Sequence, residues 1–218
     1  MKYKAILFDM DGTLLDTLAD MTSAVNHILS VHGWPLHTAE EVRSFVGNGA
    51  RRLMERAVPQ DVTGAAFEAV LAEYRDWYQR HNCVATAPYP GIPAVLASLD
   101  AAGVKTAVVS NKPDATTKAL AARFFPGLPA FGQRDDLPPK PDPALVRCAL
   151  AALDVPAADA VYVGDSEVDV ATARNAGLPL AAVSWGFRGR QALAEAGAAH
   201  IADTAEELLT LLETDTVR

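Results

Sequence analysis

The feature that most constrains the fold is a repeated unit. A short apolar run stops abruptly on a polar or acidic residue, and a stretch with helical periodicity follows. The run KAILF at 4–8 stops on DMDGT, VKTAVVSNK reaches Ser110, DAVYVGDSEVD reaches Asp165, and PLAAVSW ends near Trp185. Continuous apolar runs of this length read as strands buried on both faces. Between them, 92–102, 115–124, 143–153 and 168–176 carry helical spacing. Strands alternating with helices predict an α/β fold with a Rossmann-like parallel-sheet core, covered by helices on both faces.

The interval from 16 to 88 breaks that rhythm. It holds helical candidates at 18–31, 39–45, 50–57 and 65–80, with no convincing strand. The expectation is an α-helical cap of residues 16–88 inserted into a core made of 1–15 and 89–218. Hinges are expected at 15–17 and 85–91, where TAPYPGIP supplies rigid and turn-prone residues.

Charge and composition narrow the partners. With 19 basic against 27 acidic residues the net charge is -8, which disfavours nucleic acid and anionic membranes as partners but leaves room for a local phosphate pocket. No apolar stretch approaches the roughly 20 residues a spanning helix needs, and acidic residues interrupt the N-terminal apolar run too early for a signal peptide. The cytoplasm is therefore the expected compartment. Cys83 and Cys148 are far apart and read as reduced thiols, the histidines form no zinc pattern, and the tryptophans read as packing residues. Oligomeric state leaves no signature.

In an open parallel sheet, ligands bind beyond the carboxyl ends of the strands. Asp9, Ser110 and Asp165 each end an expected strand, so they can converge. Asp9 and Asp11 sit two positions apart, and two carboxylates beside one phosphate repel unless a cation compensates them or one is protonated. That requirement suggests separate roles: Asp9 as nucleophile, Asp11 as acid and then base. Asp165 is a candidate magnesium ligand, and Asp169 either ligates or orients a bound water. An acidic helix start accounts for Asp169 equally well. Lys140, between two prolines, is the candidate cation for Asp9 and the phosphate. Ser110 and the backbone amide of Asn111 could hold phosphate oxygens, or simply cap the next helix. Lys112 is expected to point away.

DMDGT at 9–13, SNK at 110–112, PKPDP at 139–143 and GDSEVD at 164–169 together resemble, in order and spacing, the haloacid dehalogenase-like phosphatases. The resemblance implies Asp9 as nucleophile and Asp11 as general acid/base. It implies magnesium on Asp9, the Asp11 backbone carbonyl and Asp165, with Asp169 near the metal, Ser110 on the phosphate and Lys140 stabilising charge. FVGNGARRLMERA at 45–57 and AVSWGF at 182–187 carry a closer likeness to phosphoglycolate phosphatases, which implies hydrolysis of 2-phosphoglycolate, a small phosphorylated metabolite.

In the cap, Asn48 and Gly49 precede a helix whose amides could receive a substrate carboxylate, and Arg51 or Arg52 could add positive charge. Each arginine could equally lie on an exposed basic face. A sugar-phosphate phosphatase or phosphomutase, or a non-catalytic regulatory protein that binds a phosphorylated ligand, remain the alternatives.

Overall fold

The computed structural model describes residues 2–214. The chain opens with β1 (Ala5–Phe8), all four residues of which are fully buried. After β2 (Leu15–Asp16) come four helices: α1 (Leu18–Val31), α2 (Ala39–Phe45), α3 (Gly49–Ala57) and α4 (Gly64–His81). The chain returns through β3 (Ala87–Pro88) and continues as α5 (Ile92–Ala101), β4 (Lys105–Pro113), α6 (Asp114–Phe124), β5 (Ala130–Gln133), α7 (Ala144–Leu153) and β6 (Ala160–Gly164). It ends with α8 (Glu167–Ala176), β7 (Leu180–Val183), α9 (Gly189–Glu195), β8 (Ile201–Ala202) and α10 (Ala205–Glu213).

The main sheet has six strands in the order β5-β4-β1-β6-β7-β8, and every pair is parallel. Side chains alternate across it with the period of two that a strand imposes. Ile6, Phe8, Val108, Val161 and Val163 share one face with Ile92 and Leu99 of α5 and Leu208 and Leu212 of α10. Ala5, Leu7, Ala107, Val109 and Tyr162 share the other with Leu145, Val146 and Leu150 of α7. Each large aliphatic or aromatic side chain buried this way contributes roughly 1.5–3 kcal/mol, so burial on both faces holds the central strands in place. The order reverses at β1, which lies between β4 and β6, and the crevice beyond the carboxyl ends of these three strands is where such sheets bind ligands.

The inserted helices form a cap with an apolar core of its own, built from Met21, Val25, Leu29, Val42, Leu53, Met54, Phe67 and Leu71 among others. A Thr38–Glu41 capping box sets the start of α2. Here the structure departs from the expectation of an interval without strands. β2 and β3 pair antiparallel, Leu15 with Pro88 and Asp16 with Ala87, so the two crossings between core and cap are hydrogen-bonded to each other. Two-residue strands are too short to show alternation in sequence. Asp20 of α1 reinforces this junction. Its buried carboxylate accepts hydrogen bonds from the amides of Val84, Ala85 and Thr86 and from the Thr86 hydroxyl.

Candidate active site

Asp9 follows β1, and its amide donates to the Val163 carbonyl of β6 at 2.9 Å, so sheet pairing fixes its backbone. Its Oδ1 accepts from the Met10 amide at 2.7 Å and lies 2.9 Å from Lys140 Nζ. Lys140 is buried, and its ammonium also reaches Asp169 Oδ1 at 2.8 Å and the Tyr162 hydroxyl at 3.0 Å. The loop that carries Lys140 is held by the Asn111 side chain, which accepts from the Lys140 amide at 2.7 Å and donates to its carbonyl at 3.0 Å. The Asn111 side chain thus positions the lysine. Ser110 is buried at the cavity wall, where its Oγ accepts from the Lys112 amide at 3.2 Å.

Asp165 follows β6 and is held by the Thr13 hydroxyl at 3.0 Å and the Phe187 amide at 2.7 Å. Gly12 and Gly186 are required beside it. A Cβ at either would collide with the Asp165 carboxylate, and Gly12 has a φ of 86° that favours glycine. Asp169 forms a capping box with Ser166, whose amide and hydroxyl donate to Oδ2, while Oδ1 receives Lys140. Asp169 therefore starts α8, as the helix-start reading expects, and in addition holds the lysine that meets Asp9.

One carboxylate oxygen each from Asp9, Asp165 and Asp169 lie within 4.8 Å of one another, all buried. Burial, with Asp169 and Asp11 nearby, pushes Asp9 up to about 7 despite the opposing Lys140. Burial and the neighbouring Asp169 and Asp9 push Asp165 well above the carboxylate range. Although burial opposes its charge, Asp169 and Asp9 hold the Lys140 ammonium well above its usual range. One ammonium among three carboxylates leaves excess negative charge, and the donors are all oxygen, which suits a hard divalent cation such as magnesium. Both oxygens of Asp165 and both oxygens of Asp169 already meet protein donors.

Asp11 accepts from the Thr17 hydroxyl at 2.7 Å, and both its oxygens contact Lys112 Nζ, at 2.7 and 2.9 Å. This corrects the expectation that Lys112 points away. It is buried, facing inward from β4, and its ammonium also meets the Tyr78 hydroxyl of the cap at 2.8 Å. Nothing in a single lysine after a strand signals an inward side chain; only the path of β4 beyond Ser110, continuing to Pro113, brings it there.

Asp9, Asp11, Ser110, Lys112, Lys140 and Asp165 line the floor of a cavity of about 360 Å³ between core and cap. Gly49, Leu53, Tyr74, Arg75 and Tyr78 of the cap line its other side. Asn48 and Arg51 are not among its lining residues. Arg51 is half-exposed, forks onto Glu68 at 2.8 Å through each of two nitrogens, and lies over the Phe67 ring, the surface placement that was the alternative reading for it. Arg75 of α4 does line the cavity; the sequence does not single it out, because α4 carries charges on several sides and no periodicity marks one of them.

Comparison with known proteins agrees with this geometry. The family described as haloacid dehalogenase-like hydrolase matches residues 6–183. The phosphoglycolate phosphatase of Pseudomonas savastanoi pv. phaseolicola is 35% identical over 218 residues, covering 94% of this chain and 78% of that protein. The N-acetylmuramic acid 6-phosphate phosphatase of Pseudomonas aeruginosa is 32% identical, covering 98% of this chain and 96% of that protein. A crystal structure from Lactobacillus delbrueckii subsp. bulgaricus, provisionally assigned as a phosphoglycolate phosphatase, superposes with a TM-score of 0.92 at 38% identity, covering 97% of this chain and 99% of that one. With a buried Asp9–Lys140 pair at the sheet's switch point and a family match across most of its length, the chain belongs to the haloacid dehalogenase-like hydrolases and is a phosphatase of that family.

Proposed function

We propose that this phosphatase hydrolyses 2-phosphoglycolate to glycolate and phosphate through an aspartyl-phosphate on Asp9. The observation that carries the chemistry is the pairing of Asp9 with Lys140 at 2.9 Å, with a second carboxylate, Asp11, on the same cavity floor. A carboxylate nucleophile needs a cation to approach an anionic phosphate, and Lys140 supplies one. Asp9 Oδ attacks phosphorus as the bond to the leaving oxygen breaks, and protonated Asp11 gives that oxygen its proton. Water then attacks the phosphorus of the aspartyl-phosphate. Its proton passes to Asp11, the bond from Asp9 to phosphorus breaks, and inorganic phosphate leaves. Magnesium, held by Asp9, the Asp11 carbonyl and Asp165, would supply charge neutralisation at the transferring phosphoryl group. Ser110 donates to a phosphate oxygen. Residues 16–88 act as the cap that shields the aspartyl-phosphate from bulk water.

The substrate assignment is supported by the names of the relatives and by the cavity, whose 360 Å³ lies at the small end of the range of about 300–1,000 Å³ seen for ligand sites. Arg75 and the start of α3 at Gly49 offer the cap's contacts for a second anionic group. A sugar phosphate is the second reading, favoured by the N-acetylmuramic acid 6-phosphate phosphatase that matches over 96% of its own length. A ligand-binding regulator would need neither the nucleophile nor the proton donor that this site combines.

The test is magnesium-dependent phosphate release across 2-phosphoglycolate and a set of sugar phosphates, beside an Asp9→Asn control. Preference for 2-phosphoglycolate, abolished in the control, supports the proposal. Preference for a sugar phosphate moves the substrate and keeps the chemistry. Isomerised product without phosphate points to a mutase, and full turnover by a folded Asp9→Asn protein would sink the mechanism.

A further inference from the structure

An ammonium has three protons to donate, and Lys112 has three acceptors around it. Nζ lies 2.7 and 2.9 Å from the two oxygens of Asp11 and 2.8 Å from the Tyr78 hydroxyl. The Tyr78 ring adds to the contact, with its centroid 4.8 Å from the ammonium. Lys112 belongs to β4 of the core and Tyr78 to α4 of the cap, and both are buried. Asp11 lines the cavity that both side chains border. A buried lysine is costly without partners, so Asp11 and Tyr78 set the position of this ammonium and are set by it.

We propose that Lys112 is a positioning residue for Asp11, and that Tyr78 makes this positioning depend on the cap being seated on the core. The proposal rests on the acid/base role assigned to Asp11 above. A carboxylate side chain turns about two single bonds, whereas proton transfer to the leaving oxygen requires an approach of about 2.6–3.2 Å. Without Lys112, the side-chain hydrogen bond that holds the Asp11 carboxylate is the one from the Thr17 hydroxyl at 2.7 Å. Thr17 follows β2 at the first crossing into the cap. Asp11 is thus held from the crossing by Thr17, from the core by Lys112, and from the cap by Tyr78 through Lys112.

A lysine that only balanced charge would support every substrate equally. A lysine that aims the acid matters most where the leaving group needs a proton. The measurement is kcat/KM, which reports the first half-reaction alone, for 2-phosphoglycolate and for two phosphates whose leaving groups depart unprotonated, 4-nitrophenyl phosphate and acetyl phosphate. Lys112→Met is expected to lower kcat/KM on 2-phosphoglycolate about tenfold to hundredfold and on the other two by less than about threefold. Lys112→Arg restores part of the loss, and Tyr78→Phe shows the same selectivity at about threefold. A crystal structure of Lys112→Met is expected to show the Asp11 carboxylate turned away from its present position. Equal losses on all three phosphates, or an unmoved Asp11, overturn the proposal. A displaced Asp11 in a protein whose wild type releases no phosphate from any of the three leaves the positioning intact and defeats the hydrolase reading instead.

Discussion

The charged groups at the core's cavity and those on the surface of the cap are paired in opposite ways. In the core, Lys140 meets Asp9 and Asp169, and Lys112 meets Asp11, all between residues far apart in sequence and mostly withdrawn from solvent. In the cap, Arg52 pairs with Glu55, Arg80 with Asp76 and Arg51 with Glu68, within one helix or between neighbouring helices at the surface. Lys140 has a side chain only 2% exposed, against 47% for Arg51. The first kind of pair exists only once the sheet has formed, and breaking it strands a buried charge. The second kind needs no site and, screened by solvent, contributes little to stability. Chemistry is concentrated where pairing is long-range and buried.

The strongest way to break this contrast is Lys140→Met. It leaves Asp9 and Asp169 without their shared cation, and removing one partner of a buried pair costs about 3–5 kcal/mol. Activity is expected to fall with it, and urea unfolding in the presence and absence of magnesium measures the stability loss. An unchanged midpoint would mean that the site is not electrostatically tense.

Asp20→Ala tests the junction between the two regions. It strips four donors of the second crossing of their common acceptor, and each unsatisfied buried donor costs about 1–3 kcal/mol. Water reaching part of the junction brings the expected loss to about 2–3 kcal/mol. Thermal unfolding checks the total, and hydrogen exchange at 84–86 shows whether the opening is local.

Titration sharpens the contrast from the core side. Asp9 is pushed up to about 7 when folded without metal, above its unfolded value of about 3.9, so the folded state binds more protons between these limits. Stability of the metal-free protein is therefore expected to fall as pH rises through that window. Magnesium, which competes with those protons, should raise the melting temperature by several degrees more at pH 8 than at pH 5. A pH-independent shift would contradict the proposed role of Asp9 and Asp165 in holding the metal.

The smallest effects belong to the cap arginines. Arg75→Ala is expected to raise KM severalfold with little change in kcat, because it removes a cavity cation that touches no reacting atom. Arg51→Ala should leave stability nearly unchanged and leave KM alone. Reversal of that order, read from steady-state kinetics of both variants, would return Arg51 to the site.

The same contrast explains what was readable in advance. Four helices of the cap and the central strands announce themselves through local periodicity, since amphipathic spacing and continuous apolar runs are properties of neighbouring residues. The short strands β2, β3 and β8 carry no such pattern, because a strand of two residues has no period to read. Among site residues, Asp9, Ser110 and Asp165 were legible because each ends an apolar run, and where an open parallel sheet ends is where its ligand lies.

Sequence by itself determined the alternation of strands and helices, the inserted cap and the family, because these rest on patterns within a few residues or on motifs in fixed order. Tertiary structure alone decided that Lys112 turns inward to Asp11, that Asn111 holds the Lys140 loop, and that Arg75 rather than Arg51 faces the cavity. A side chain's direction depends on partners supplied by distant segments. Glu68 was there to take Arg51 only after α4 had packed against α3, and Tyr78 was there to meet Lys112 only after α4 had packed over the core.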